Sequence, residues 1–129
     1  MKILHTADIH LGELNGPVID GENARMMDTV KCMDFIVTKA VEEDVDIIVI
    51  PGDLFNKSKL WADEMLKEIT IASNWLRSLC SVAPVVLMWG TGNHDSLAAF
   101  ENIRKMNIDG LTVITEPQLL TINTKSGGI

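Results

Sequence analysis

The chain has 129 residues, of which 47% are hydrophobic, so it is long and apolar enough to form one domain with its own core. Its formal net charge of −7 excludes a nucleic-acid-binding module that acts through overall positive charge, although bound cations can supply positive charge locally in a metal-dependent enzyme. Two cysteines are too few for a disulfide framework, and no apolar run reaches the roughly 18 residues of a membrane span. The N-terminal residues do not resemble a signal peptide, and we expect a cytoplasmic protein.

Strands and helices are predicted to alternate along the chain. The predicted elements are a strand at 1–6, a loop at 11–22, a helix at 23–43, a strand at 46–50, a helix at 61–79, a strand at 85–89, a helix at 96–106, and strands at 111–115 and 119–124. Such alternation is typical of parallel strands joined by helical crossovers. We therefore predict an α/β fold with a mostly parallel β-sheet flanked by helices.

The end of the chain resembles an interrupted hairpin. Residues 125–128 form a turn-like sequence, and Ile129 would begin a partner strand. We therefore expect residues 1–129 to be the N-terminal part of a longer domain.

A polar cluster follows each of the first three long apolar strands. The clusters are Asp8-Ile9-His10, Gly52-Asp53 and Gly92-Asn93-His94-Asp95. Ligands of open α/β sheets bind outside the carboxyl ends of the strands, so the three clusters are expected to meet at one rim. Each cluster alone is also compatible with an ordinary turn or helix cap, and the prediction of a site depends on their conjunction.

The residue types in these clusters suit a pair of divalent metal ions. Asp8 and His10 are two residues apart, so both side chains point to the same side of an extended segment and can hold one ion. Asp53 has two carboxylate oxygens and can bridge to a second ion, to which Asn93 can add an amide oxygen. Mixed nitrogen and oxygen ligands favour Mn, Fe or Zn over Ca.

His94 and Asp95 are candidates for catalysis. His94 neighbours the candidate ligand Asn93, so its ring can either stabilise a charged transition state or protonate a leaving oxygen. Asp95 can orient that ring through a hydrogen bond.

These motifs resemble the first three motifs of the calcineurin-like metallophosphoesterases. The opening residues 1–12 and the sequence Gly52-Asp53-Leu54-Phe55 are further similar to the SbcD-type nucleases of DNA double-strand-break repair. The resemblance covers nearly the whole chain.

The resemblance implies a role for each residue and a set of partners. Asp8 and His10 would bind one manganese ion, Asp53 would bridge two, Asn93 would bind the second, and His94 would be the catalytic histidine. The implied fold is a two-sheet β-sandwich flanked by helices, of which this chain would supply half. The implied substrates are DNA ends, and the implied partners are an ABC-type ATPase of the SbcC kind and a second copy of the chain.

The chain also departs from the family pattern. The family completes its site with a further histidine and a later Gly-His-x-His motif, but no histidine follows His94. We therefore expect the isolated chain to be weakly active or inactive. Two alternatives remain open: another calcineurin-like phosphatase or nucleotide phosphodiesterase, and a non-catalytic interaction module.

Overall fold

A computed structural model describes residues 1–57, 65–90 and 94–129. Its elements are β1 (Ile3–His5), β2 (Val18–Ile19), β3 (Glu22–Asn23), α1 (Ala24–Glu42), β4 (Ile47–Pro51), α2 (Leu66–Cys80), β5 (Val85–Met88), α3 (Leu97–Lys105), β6 (Leu111–Ile114), β7 (Asn123–Thr124) and β8 (Gly127–Gly128). A four-stranded sheet has the order β1-β4-β5-β6, and all its neighbouring strands are parallel. The predicted α/β fold is confirmed.

Two of the helices, α1 and α3, begin after a residue whose side chain caps them. The Asn23 side chain accepts a hydrogen bond from the Met26 N–H at 2.9 Å, which satisfies one of the free donors at the start of α1. Ser96 caps α3 in the same way through the Ala99 N–H. The predicted start of α2, at residues 61–64, lies outside the described residues. In the part of the chain that the structure describes, no helix combines the length and apolar character that a membrane crossing requires.

All three helices pack on the same face of the sheet. A single core cluster joins all three helices to alternate residues of the sheet. This is the arrangement expected when parallel strands in sequential order are joined by crossovers of the usual right hand. The sheet residues in contact with the helices are Leu4, Ile48, Ile50, Val85, Leu87, Leu111 and Val113. On the opposite face of β1, Ile3 is 52% exposed. Because all four strands are parallel, their carboxyl ends lie at the same edge of the sheet.

Two segments differ from the prediction. The predicted loop at 11–22 contains β2, which pairs with β3 as a hairpin closed by Asp20-Gly21, a dipeptide typical of two-residue hairpin turns. The predicted strand at 119–124 is wrong over residues 119–121, and Leu119 is fully exposed. The rest of it pairs with the end of the chain: Ile122 exchanges two backbone hydrogen bonds with Ile129, at 2.8 and 3.0 Å, and β7 pairs with β8 as a short hairpin.

The β7–β8 hairpin docks at the amino end of the sheet through Asp46. This carboxylate is buried beside the start of β4, accepts the Ser126 hydroxyl, and accepts the Lys2 N–H at 2.5 Å. Lys125 adds an ion pair with Asp44. The Ser126 hydrogen bond, followed by that from Lys2, holds the pKa of Asp46 below its ordinary value of 3.8.

We expect Asp46→Asn to lower the melting temperature by a few degrees near neutral pH. A carboxyl whose pKa is depressed by folding stabilises the fold above its unfolded pKa, and that contribution is lost as pH falls through the folded pKa. The difference from the wild type should therefore shrink toward zero at strongly acidic pH. Calorimetric melting at both pH values measures it, and an equal difference at both would contradict a contribution from the charge.

Candidate metal centre

The loops after β1 and β4 are joined by backbone hydrogen bonds. The His10 N–H donates to the Asp53 carbonyl at 3.0 Å, and the Leu11 N–H donates to the Leu54 carbonyl at 2.9 Å. Leu11 and Phe55 form an isolated parallel bridge, and both side chains are fully buried. These bonds extend the β1–β4 pairing past the strand ends and bring two distant polar clusters together.

Asp8, His10 and Asp53 converge at this edge. One ligand atom from each lies within 4.8 Å of the other two. The His10 Nε2 is 3.7 Å from Asp8 Oδ1 and 4.0 Å from Asp53 Oδ2. The structure therefore brings together three of the four residues predicted to bind metal, two of them from the first cluster and one from the second.

All three residues have a left-handed backbone. The φ angles are 56° at Asp8, 52° at His10 and 53° at Asp53. Residues other than glycine rarely adopt this region, and aspartate and histidine tolerate it better than most. Such strain persists only where the surrounding structure fixes it, and it is concentrated at functional sites. The strained backbone therefore sets the directions of these three side chains.

The chemistry of the cluster suits a divalent cation. Within residues 1–57, 65–90 and 94–129, neither Asp8 nor Asp53 forms an ion pair with a lysine or an arginine. Two carboxylates and an imidazole form the mixed oxygen and nitrogen set that Mn, Fe and Zn accept. The Asp8 side chain is 71% exposed, so the cluster is open to solvent and to large ligands.

His94 lies beside this triad. Its ring centroid is 4.6 Å from that of His10, and the two rings meet edge to face at 77°. The His94 Nδ1 is 2.8 Å from the Asn56 carbonyl oxygen. A carbonyl oxygen only accepts hydrogen bonds, so Nδ1 carries the proton and donates it. The Nε2 atom is therefore the ring nitrogen that remains for a substrate.

Asp95 has different partners from those predicted. Its Oδ2 accepts the N–H groups of Asp53 at 2.8 Å and Gly90 at 3.0 Å, and its Oδ1 accepts the Phe55 N–H at 3.1 Å. In the predicted site, the His94 ring donates a hydrogen bond to Asp95. In the structure the ring donates to the Asn56 carbonyl instead, because the buried Asp95 carboxylate faces backbone donors. Burial raises the pKa of Asp95, while the hydrogen bonds from Phe55, Gly90 and Asp53 oppose that rise.

Part of the predicted site lies outside the described residues. This applies to Gly92 and to the fourth predicted ligand, Asn93. Sequence reasoning missed the Asn56 contact, because that contact uses a backbone carbonyl, a group that every residue has. It also missed the close packing of Gly90, for which the signal is a glycine directly after a buried strand.

Gly90→Ala should destabilise the protein. An added Cβ would lie 2.9 Å from the Asp95 Oδ2 and 3.2 Å from the Asp53 nitrogen, so the loops would have to separate. We expect the free energy of unfolding, measured by urea titration, to fall by about 1–3 kcal/mol. The control is Gly128→Ala, whose Cβ would meet its nearest neighbour at 3.7 Å, and equal losses in the two variants would contradict the proposed crowding.

Comparison with known protein families gives a match over almost the whole chain. The model of the calcineurin-like phosphoesterase family (Metallophos) matches residues 1–124. This span includes the candidate triad of Asp8, His10 and Asp53, together with His94 and Asp95.

Proposed function

Because this chain belongs to the calcineurin-like phosphoesterase family, whose members hydrolyse phosphoesters with divalent metals, we propose that it acts on the phosphodiester bonds of DNA as an SbcD-type exonuclease or endonuclease. The observation that carries the proposal is the convergence of Asp8, His10 and Asp53 from two separate loops. The similarity of residues 1–12 and 52–55 to SbcD-type nucleases favours DNA over other phosphoesters.

The openness of the site also supports a polymeric substrate. The Asp8 carboxylate at the rim of the sheet is 71% exposed, so a DNA strand can reach it from solvent. The acidic chain has no overall attraction for DNA, so phosphate contact depends on cations held by the triad.

In the proposed mechanism, Asp8 and His10 would hold one divalent ion, and Asp53 and Asn93 would contribute ligands to a second. We propose that both ions are Mn²⁺. Such ions would supply a phosphate clamp and an activated water for in-line attack. Because the Nδ1–H of His94 is donated to the Asn56 carbonyl, the atom that faces the substrate is Nε2. With both ring nitrogens protonated, the ring would stabilise the developing charge or pass its Nε2 proton to the leaving oxygen, which would leave the neutral ring with its proton on Nδ1.

The proposal extends to partners and location. The partners are DNA ends, an ABC-type ATPase of the SbcC kind and a second copy of the chain. The location is the cytoplasm, and the free thiols of Cys32 and Cys80 are compatible with its reducing conditions.

The test compares substrates at equal Mn²⁺ concentration. Linear duplex DNA and p-nitrophenyl phosphate are incubated with the chain, and product is followed by gel electrophoresis and absorbance. We expect Mn²⁺-dependent cleavage that favours DNA. The cleavage should be slow, because the chain has three histidines and none of them follows His94.

The alternatives predict different results. Faster hydrolysis of p-nitrophenyl phosphate than of DNA would favour a phosphatase. Hydrolysis of neither substrate, together with no binding of Mn²⁺, would favour a non-catalytic interaction module.

A further inference from the structure

The Asp95 carboxylate connects the loops that follow β4 and β5. It is 3% exposed and accepts three backbone N–H groups, two from the Asp53 loop and one from Gly90. Hydrogen bonds from backbone N–H groups to an ionised carboxylate are stronger than bonds between neutral groups. The buried charge is therefore used to fix backbone positions and does not face a ligand.

We propose that Asp95 is a positioning residue that sets the place and orientation of Asp53, and thereby the affinity of the metal centre. The inference rests on the proposed function, since it concerns the same metal ions. It differs from the role predicted from sequence, in which Asp95 orients the His94 ring.

The geometry of the Asp53 loop supports this role. Asp53 has a φ of 53°, a conformation that needs support from its surroundings. The Asp95 Oδ2 receives the Asp53 N–H, and the Oδ1 receives the Phe55 N–H two residues later. On the other side of Asp53, an added Cβ at Gly52 would lie 3.1 Å from the Gly90 Cα, so the two loops are in close contact. A change at Asp95 is thus transmitted directly to the ligand carboxylate.

Asp95→Asn tests the proposal, because it keeps the shape of the side chain but replaces one acceptor oxygen with an NH₂ donor. The matched control is Asp46→Asn. Asp46 is 5% exposed and also accepts a backbone N–H, but it lies at the amino end of the sheet. Calorimetric titration with Mn²⁺ measures affinity, and NMR measures amide hydrogen exchange and the tautomer of His94.

We expect Asp95→Asn to weaken Mn²⁺ binding by about 10–100-fold, the usual effect of losing a residue that supports a ligand. The amides of Asp53, Phe55 and Gly90 should exchange faster, while the His94 tautomer stays unchanged because Asn56 holds it. Asp46→Asn should bind Mn²⁺ as the wild type does. Equal affinity in the wild type and Asp95→Asn, an equal loss in both variants, or a changed His94 tautomer would overturn the proposal.

A second measurement needs no variant. If the Asp95 bonds favour metal binding, the bound metal must stabilise those bonds to the same extent. Saturating the wild type with Zn²⁺, a diamagnetic ion that accepts the same ligands, should therefore slow exchange at the amides of Asp53, Phe55 and Gly90. If these amides exchange at an unchanged rate while Zn²⁺ is bound, the proposed role of Asp95 is wrong, but the metal centre itself is not contradicted. Failure of the wild type to bind Mn²⁺ or Zn²⁺ would overturn this role together with the proposed metal centre.

Discussion

Asp53→Asn should reduce Mn²⁺ affinity by more than the ~10–100-fold that loss of a residue outside the ligand set usually costs, because Asp53 is itself a ligand in the proposed centre. Asparagine is the right replacement here. It tolerates the left-handed φ of 53° at this position, whereas alanine would add backbone strain to the loss of the ligand. The amide oxygen that remains is neutral and cannot take the place of a bridging carboxylate.

In the absence of metal, Asp53→Asn should not lower the stability of the protein. The Asp53 carboxylate lies close to that of Asp8, so removing its charge relieves repulsion, and the metal-free variant should melt no lower than the wild type. Added Mn²⁺ should raise the melting temperature of the wild type but not that of the variant, since a ligand stabilises the folded state that binds it.

Asp20→Asn is the matched control for this experiment. Asp20 also has a φ of 53°, but it lies exposed in the β2–β3 hairpin, so the same substitution is made in the same backbone conformation away from the metal centre. Its Mn²⁺ affinity should equal that of the wild type. An equal Mn²⁺-induced rise in melting temperature for Asp53→Asn and the wild type would contradict the assignment of Asp53 as a ligand.

Phe100→Ala should have the largest effect on stability, about 3–5 kcal/mol. The Phe100 side chain is fully buried on α3, and its ring packs edge to face against Phe55 with centroids 6.0 Å apart. Since whole domains are stable by only about 5–15 kcal/mol, the loss is a large part of the total. Phe55 belongs to the loop that Asp95 holds, so the cavity would also weaken the support of Asp53.

Phe35→Ala provides the comparison for that measurement. Phe35 lies on α1 and is 60% exposed, and the Lys39 ammonium lies 5.6 Å from its ring centroid. Its removal should cost at most about 1 kcal/mol, the size of an exposed cation–π contact. Urea titration measures both variants, and losses of similar size would contradict the assignment of Phe100 to the core.

The outline of the fold and the meeting of the loops could be predicted from the sequence. The helices predicted at 23–43 and 96–106 agree with α1 and α3 to within one residue at each end. Buried parallel strands end at a common edge, so the convergence of Asp8 and His10 with Asp53 followed from topology before any distance was known.

The finer contacts could not be predicted, because they depend on the backbone. The partner of His94 is a carbonyl, and the partners of Asp95 are N–H groups, so the identity of a residue carries almost no information about either. The alternation at 119–124 was misleading for a related reason. A strand needs an adjacent edge to pair with, and the sequence pattern does not reveal whether one is available.

The strands stand side by side in the same order in which a ribosome makes them. Each strand can therefore dock beside the one synthesised just before it, as the domain folds from its N-terminal end. Three of the candidate ligands, Asp8, His10 and Asp53, are present once β4 has paired with β1, but Asp95 follows Asp53 by 42 residues. A nascent chain thus acquires these three candidate ligands first, and Asn93 and the support for Asp53 later, so its affinity for a cation should increase as synthesis proceeds past β5.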